Sequence, residues 1–359
     1  DSIAIVKLMA LQLSGHLEEE VLYARTSLLL SPARVRDILP DVPGAGIAAL
    51  PEYAALFQNL PRFAETDPIV RDPLSPFNPR AFGGASNAWA AAPSRSATGS
   101  TLLANDPHLG FTAPAIWYLA RLELAGGGVI GGTIPGVPAI MLGRSQGFGW
   151  GLTSSNMDDQ DLFIEKLNPG NPNEVLTPSG YKPLRTRPSI INVKDAAPVT
   201  INLQWSENGP VLPPSHYGLG AITPAGHIAT LGWTALSDAD TSLSAAINLM
   251  QAKTVAQGIA AARDYIAPSQ NLTMVDTTTI ALKTIGAIPD RSLRHQTKGR
   301  MPSPGWIEDN RWRGRLNYTS NPEFIDPKGG ILGNTNNKIL DRPFPLHVSF
   351  TWGDTQRIQ

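Results

Sequence analysis

The stretch GGASNAW, residues 83–89, decides how this chain is interpreted. It ends a proline-rich segment with almost no periodicity, and strand-forming residues follow it. Ser86 therefore lies where an exposed linker meets the first strand of a sheet. A serine at that point can be an ordinary strand-start hydroxyl. If the peptide bond before it were cut, Ser86 would carry both a hydroxyl and a free α-amine. With a pKa of about 7.7–8, that amine suits a general base at neutral pH.

Composition excludes several classes of protein. The 359 residues are 42% hydrophobic and 16% charged, which excludes a solvated disordered chain, and Gly 33 and Pro 32 favour turns and strands. A net charge of −1 offers no electrostatic attraction to nucleic acid or to an anionic membrane. Cys 0 excludes disulfides, thiolate metal sites and cysteine nucleophiles. No apolar run approaches the roughly 18 residues of a membrane span, so we expect no membrane insertion.

The pattern along the chain predicts three regions. Residues 1–65 are mainly helical, with two helices that meet near Gly15 and a short helix that begins at Ser31-Pro32. Residues 66–85 form the proline-rich linker or spacer, and residues 86–359 contain many short strands together with a helical stretch at 243–265.

The common catalytic motifs are absent. The sequence contains no HExxH, no GxSxG and no phosphate-binding GxxxxGK[ST], and the glycine-rich run at 125–136 is typical of turns between strands. We therefore expect no organic cofactor, and the six scattered histidines disfavour a catalytic transition metal.

Several blocks of sequence resemble the penicillin acylase family of N-terminal nucleophile (Ntn) hydrolases. They are SNAW at 86–89, LLANDPHLG at 102–110, APAIWYLARLEL at 113–124, GTIPGVPAIMLGR at 132–144, WGLTSSNMDDQDLF at 150–163, NTNN at 334–337 and WGDTQR at 352–357. The resemblance implies an α+β fold, the Ntn αββα sandwich of two antiparallel sheets flanked by helices, in incomplete form. Residues 1–65 would correspond to the end of the family's α-chain, and residues 86–359 to the first part of its β-chain.

The resemblance also implies a nucleophile and its neighbours. Ser86 aligns with the family's nucleophile, which is exposed when the precursor cleaves itself, here between Ala85 and Ser86. Asn87 aligns with a residue that helps to orient the substrate, and His108 with a residue that lines the nucleophile pocket. The alternatives are a turn-favouring asparagine and a loop histidine that caps a turn.

Three further residues would complete the catalytic set. The backbone N–H of Ser154 and the side-chain amide of Asn336 align with the two donors that stabilise the oxyanion. Arg357 aligns with an arginine near the amine and the catalytic asparagine, and its permanent charge would lower neighbouring pKa values. Without the resemblance, Ser154 is a polar strand end and Asn336 a loop residue.

The DDQD run at 158–161 concentrates three carboxylates that repel one another unless a cation screens them. Asp158 and Asp161 align with calcium ligands of the family, and Glu19 aligns approximately with a third. A further family aspartate is displaced, with Asp341 the nearest candidate. We expect a structural Ca²⁺; the alternative is a solvated acidic turn.

The residues aligned with the acyl pocket are Leu13, Leu109 and Leu142, which suit a hydrophobic acyl group unless they are simply core. The expected function is thus hydrolysis of hydrophobic N-acyl compounds, such as penicillin-type, N-acyl amino acid or N-acyl-homoserine-lactone substrates. The alternatives are a silent precursor or fragment of such an acylase, and a non-enzymatic calcium-binding β-rich module. The expected partners are the acyl-amide substrate and the remainder of the precursor. The family suggests a periplasmic or secreted parent protein, although this chain shows no signal peptide.

Overall fold

The computed structural model describes residues 2–39, 86–109 and 113–352. Its helices are α1 (Ser2–Leu13), α2 (His16–Leu29), α3 (Pro32–Ile38), α4 (Ser242–Leu249) and α5 (Val255–Ala261). The predicted break near Gly15 separates α1 from α2, and Pro32 is the first residue of α3 after an extended Ser31. The rest of the helical region 1–65 and the linker 66–85 lie outside the described residues. No helix in the described ranges combines the length and apolar character needed to cross a bilayer.

The described part of the chain also contains eighteen strands. In chain order they are β1 (Asn87–Ala91), β2 (Leu102–Asp106), β3 (Tyr118–Leu124), β4 (Gly127–Thr133), β5 (Leu142–Arg144), β6 (Phe148–Ser154), β7 (Gln160–Asn168), β8 (Asn171–Thr177), β9 (Gly180–Pro183), β10 (Arg185–Ile191), β11 (Val199–Trp205), β12 (Val211–Leu212), β13 (His227–Trp233), β14 (Gln270–Asp276), β15 (Ile280–Ile285), β16 (Ser303–Pro304), β17 (Glu323–Ile325) and β18 (Ile331–Asn334).

These strands form four sheets. The largest has seven strands in the order β17-β15-β14-β6-β5-β4-β3, and the second has the order β12-β13-β7-β8-β9, with β16 beside β7. A three-stranded sheet has the order β18-β1-β2, and β10 pairs with β11 in a separate hairpin. All these pairings are antiparallel except that between β16 and β7.

The layers follow from where the apolar side chains point. Ala90 of the three-stranded sheet packs against Val275 and Ile280 of the seven-stranded sheet, so these two sheets share a core. On its other side, the seven-stranded sheet packs against α4 and α5 through residues such as Leu249 and Val255. Helix α2 packs instead on the second large sheet. Helices α4 and α5, the seven-stranded sheet and the three-stranded sheet are thus stacked as three layers.

The structure divides one predicted helical region. The helical stretch predicted at 243–265 contains two helices, α4 and α5. The reason is local: Thr254 has an extended backbone, and its side chain accepts a hydrogen bond from the N–H of Gln257. This N-cap starts a new helix.

Strands β2 and β6 approach each other closely where the two packed sheets meet. A Cβ at Gly151 would lie 2.7 Å from Cβ of Asn105, and one at Gly149 would lie 3.2 Å from Cδ2 of Leu103. Glycine at these positions of β6 allows β2 to lie directly over it. The same contact places Asn105 against the backbone of β6, next to the start of β1.

We predict that Gly151→Ala destabilises the fold, because its methyl group meets the root of the Asn105 side chain. Overpacking of this kind costs about 1–3 kcal/mol, which urea unfolding will detect as a lower midpoint. Gly147→Ala is the matched control, since its added Cβ meets no atom within 4 Å and should change stability by less than about 1 kcal/mol. Equal effects of the two substitutions would contradict this account of the sheet contact.

Candidate active site

Ser86 immediately precedes β1 and is buried, with 8% of its surface exposed. Its backbone N donates to Oδ1 of Asn336 at 2.8 Å. The topology explains this contact over 250 residues of sequence: β18 pairs with β1, with Ala88 opposite Asn334, so the loop after β18 lies beside the start of β1.

The side chain of Asn336 links two parts of the site. While Oδ1 accepts from Ser86, Nδ2 donates to the carbonyl oxygen of Ser154 at 3.1 Å. The backbone of Asn336 is held in turn: its N–H donates to Oδ1 of Asn334 at 3.0 Å, and its carbonyl accepts from Nδ2 of Asn156 at 3.1 Å. Its φ of 65° is left-handed, a region that asparagine tolerates better than most residues.

Two of the predicted site residues, Ser154 and Asn336, therefore lie beside the predicted nucleophile, and their roles as oxyanion donors stay a prediction. An asparagine NH₂ group has two N–H donors, and Ser154 O accepts one of them. Ser154 is the last residue of β6 in the seven-stranded sheet, whereas Ser86 adjoins the three-stranded sheet. The site thus lies where the two packed sheets end together.

A second group of polar residues stands beside Ser86. Asn87 pairs with Asp106 across β1 and β2, and its Nδ2 donates to Oδ2 of Asp106 at 3.0 Å. The ring Nε2 of His108 lies 2.6 Å from the same oxygen. Desolvation acts to raise the pKa of Asp106, but the hydrogen bonds from Asn87 and His108 outweigh it and lower the pKa below its ordinary value. The two predicted residues therefore share one carboxylate.

The sequence analysis missed Asn105, which connects the sheets at this point. Its Nδ2 donates to the carbonyls of Asn87 at 2.7 Å and Leu152 at 3.0 Å, and its Oδ1 accepts from the N–H of Leu152 at 3.1 Å. Asn105 thereby fixes β1 and β2 to β6 beside the candidate nucleophile. The available signal was an uncharged polar side chain directly after the apolar residues Leu102, Leu103 and Ala104 of the same strand.

An apolar cavity of about 70 Å³ adjoins Ser86. Its volume is several times that needed by one water molecule. The polar residues Ser86, His108, Ser154 and Gln270 share its wall with the three leucines expected to contact an acyl group, Leu13, Leu109 and Leu142. The remaining lining is mostly aliphatic, from Val6, Met9, Ile134, Val137, Met141 and Leu152, with Trp117, Tyr265, Pro107 and Pro268. An apolar cleft with a few convergent polar groups is the usual form of a small-molecule site.

Two donors in this wall were not anticipated from sequence. Nε1 of Trp117 and the hydroxyl of Tyr265 are buried with no hydrogen-bond partner among the described residues. Burial, followed by the charge of Asp240, raises the pKa of the Tyr265 hydroxyl, which therefore stays protonated.

The predicted calcium ligands have other partners. Arg291 lies between Asp158 and Asp161 and forms salt bridges with both, at 3.1 and 2.9 Å. Oε2 of Glu19 lies 3.4 Å from Nδ1 of His16. Within the described ranges, no group of three or more His, Cys, Asp or Glu side chains is arranged to hold a metal ion. These residues therefore do not fit a bound Ca²⁺, and they do not form a solvated turn either, because both aspartates are buried.

The glutamate that belongs to this cluster is Glu20, which is 2% exposed and accepts hydrogen bonds from the N–H of Leu162. Burial and then the charges of Asp161 and Asp158 raise the pKa of Glu20 well above its ordinary value. For Asp158, burial opposes ionisation, but the Arg291 guanidinium and other nearby donors outweigh it and lower the pKa. Arg291 thus favours the ionised form of the Asp158 carboxyl, whereas burial favours the neutral form of the Glu20 carboxyl.

Arg357 lies outside the described residues, so its predicted place near the amine stays a prediction.

Comparison with known proteins agrees with this geometry. The family model described as penicillin amidase matches residues 1–359. The chain belongs to the penicillin amidase family. This family member is 29% identical to the acyl-homoserine lactone acylase QuiP of Pseudomonas aeruginosa over 77% of its own length and 33% of that protein. It is also 29% identical to the penicillin acylase 2 proenzyme of Pseudomonas sp. strain SE83, over 75% of its length and 34% of that protein. The chain thus spans about a third of the length of these relatives.

The fold comparison gives the same result. A thermostable penicillin G acylase from Alcaligenes faecalis matches with a TM-score of 0.65 and 25% sequence identity, over 75% of this chain and 47% of that one. The predicted family and the predicted Ntn-hydrolase fold class are both confirmed.

We predict that the cavity binds an aliphatic carboxylate such as octanoate. Leu142→Trp places a larger side chain in the cavity and should weaken this binding at least about tenfold. Such a loss corresponds to about 1.4 kcal/mol. Isothermal titration calorimetry will measure it, with acetate as the short-chain reference.

The matched control is Leu102→Trp, on an exposed side chain of β2 outside the cavity, which should leave octanoate affinity unchanged. Octanoate that binds no better than acetate, or equal losses in the two variants, would contradict the assignment of this cavity.

Proposed function

We propose that the full-length protein hydrolyses the amide bond of hydrophobic N-acyl compounds, with Ser86 as an N-terminal nucleophile. The observation that carries this proposal is the Asn336 side chain, which joins the backbone N of Ser86 to Ser154 at the end of β6, two residues that line an apolar cavity. Family membership and relatives named as acylases support the class of reaction.

Cleavage of the precursor before Ser86 would also use the Ser86 hydroxyl. In the uncut chain the N of Ser86 belongs to an amide and cannot act as a base. Attack of Ser86 Oγ on the Ala85 carbonyl carbon would break the Ala85–Ser86 amide bond and form an ester. Water would then hydrolyse the ester, leaving a carboxylate on Ala85 and a free α-amine on Ser86. One matched relative is named a proenzyme, which is consistent with such processing.

Catalysis would then use the new amine as the base. Oδ1 of Asn336, which accepts from Ser86 N in the structure, would accept one amine hydrogen and direct the nitrogen lone pair towards Oγ. As Oγ attacks the substrate carbonyl, the amine takes its proton and passes it to the leaving amine. The acyl group stays on Oγ as an ester until water, deprotonated by the same amine, releases the acid.

Attack on the carbonyl gives a tetrahedral intermediate, and two hydrogen-bond donors would stabilise the negative charge on its oxygen. We assign this role to the backbone N–H of Ser154 and to Nδ2 of Asn336, whose NH₂ can bond Ser154 O and the substrate oxygen together. His108 and Asn87, both held on Asp106, would bind and orient the substrate at the entrance. Arg357 keeps its expected role near the amine as part of the proposal.

The cavity indicates the preferred acyl group. Its lining is mainly aliphatic and includes Leu13, Leu109 and Leu142. We therefore propose aliphatic acyl chains ahead of aromatic ones, a class that includes N-acyl-homoserine lactones. The remainder of the protein is the proposed structural partner, because this chain corresponds to only about a third of the relatives named above. A periplasmic or secreted location stays a prediction.

The intact mass of the full-length protein tests this proposal. We predict two pieces, with the second beginning at Ser86, for the wild type, and a single uncut chain for Ser86→Ala, which also has no acylase activity. Ser100→Ala, on an exposed residue downstream of β1, is the control and should be processed and active. A single chain in the wild type would show that the amine is never formed, and amide turnover by Ser86→Ala would exclude Ser86 as the nucleophile.

A further inference from the structure

Arg291 occupies the centre of the acidic run 158–161. It is 1% exposed. Its Nε donates to Oδ2 of Asp161 at 2.9 Å, and its Nη2 donates to Oδ1 of Asp161 at 3.0 Å and to Oδ1 of Asp158 at 3.1 Å. The same Nη2 lies 3.2 Å from the carbonyl oxygen of Asp158 and 3.3 Å from that of Gln160.

These acceptors are the kind of oxygens that bind a hard divalent cation. Calcium sites in proteins are built from carboxylates and backbone carbonyls, and here two of each are directed at one guanidinium. The planar fork of arginine suits them, because it offers several N–H donors in fixed directions and keeps its charge at any physiological pH.

The surroundings close the space around this ion pair. Nε2 of His347 lies 3.2 Å from the second oxygen of Asp158, and Nε1 of Trp312 donates to Asp161. Gly299, with a φ of +76°, is so close that a Cβ there would lie 2.5 Å from Oδ1 of Asp161 and 2.9 Å from Nε of Arg291. A dication added here would meet both this packing and the repulsion of the guanidinium.

We propose that Arg291 is a built-in replacement for a structural metal ion, so that the charges of Asp158 and Asp161 are compensated from within and the fold does not depend on Ca²⁺. The guanidinium also joins two sheets. Arg291 follows β15 of the seven-stranded sheet, whereas Asp161 belongs to β7 of the second large sheet. Asp158 lies four residues after Ser154, so the same ion pair fixes the segment that leaves the candidate active site.

The first test is the melting temperature of the wild-type full-length protein with EDTA and with added Ca²⁺. We expect the two values to agree within about 1 °C, because no bound ion contributes to stability. A decrease of more than about 5 °C in EDTA that Ca²⁺ reverses would overturn the proposal. This measurement needs no variant and therefore does not depend on how a substitution folds.

The second test separates charge compensation from packing. Arg291→Met removes the charge but keeps an extended apolar side chain, and it leaves two buried carboxylates without their guanidinium partner. We expect a melting temperature lower by at least about 5 °C. In an Asp158→Asn, Asp161→Asn background the same substitution should lower it by less than half as much, because the two carboxylates that form salt bridges with Arg291 are absent.

Equal losses in the two backgrounds would show that Arg291 acts only by packing, which would overturn the proposal. If Arg291→Met does not fold but the triple variant does, the rescue itself supports charge compensation. Arg291→Lys is the conservative control. An ammonium keeps the charge but lacks the fork, so its loss should lie between those of the wild type and Arg291→Met.

Discussion

The side chain of Asn336 holds the candidate site together, since its two ends bond to different layers of the fold. Oδ1 accepts from Ser86 at the start of the three-stranded sheet, and Nδ2 donates to Ser154 at the end of β6 in the seven-stranded sheet. The distance between the candidate nucleophile and the proposed oxyanion donors therefore depends on how closely the two sheets pack. That packing in turn requires Gly151 in β6 and the bridging amide of Asn105. A residue with no direct part in the chemistry can thus displace the whole site.

A second constraint acts from the other end of the same segment. Asp158, which forms the buried ion pair with Arg291, lies only four residues after Ser154 of the candidate active site. Removing one member of a buried ion pair leaves an unpaired charge in a medium where it is poorly solvated, at a cost of about 3–5 kcal/mol. The position of Ser154 is therefore fixed on one side by a neutral amide and on the other by a charge-compensated cluster.

Features that depend on neighbouring residues, or on motifs that occur in the family's order, could be predicted from the sequence. The break at Gly15, the start of α3 at Pro32 and the strands around Ser86 follow from turn and capping residues, and the resemblance placed Leu13, Leu109 and Leu142 in one cavity wall. The salt bridges of Arg291 could not be predicted from the sequence, because no local pattern marks one arginine as the partner of an aspartate 130 residues earlier.

A signal did exist for the correct glutamate. In α2 the buried residues Leu17, Val21, Ala24 and Leu28 repeat at helical spacing, and Glu20 lies on that face while Glu19 does not. Similarly, Asp161 and Glu165 lie on one face of β7 with Phe163 between them, Leu162 and Ile164 lie on the other face, and all five are buried. When the partners of the buried acids on distant segments are unknown, a sequence with several acids is easily interpreted as a solvated turn.

The most direct test of the central claim is to trap the acyl group on the enzyme. The full-length protein is mixed with a p-nitrophenyl ester of a medium-length aliphatic acid, quenched in acid within the first turnovers, and digested for peptide mass mapping. The account predicts the mass of one acyl group on the peptide that begins at Ser86, on its hydroxyl oxygen. Turnover with the acyl group on another residue, or on a chain still joined through the Ala85–Ser86 bond, would contradict it.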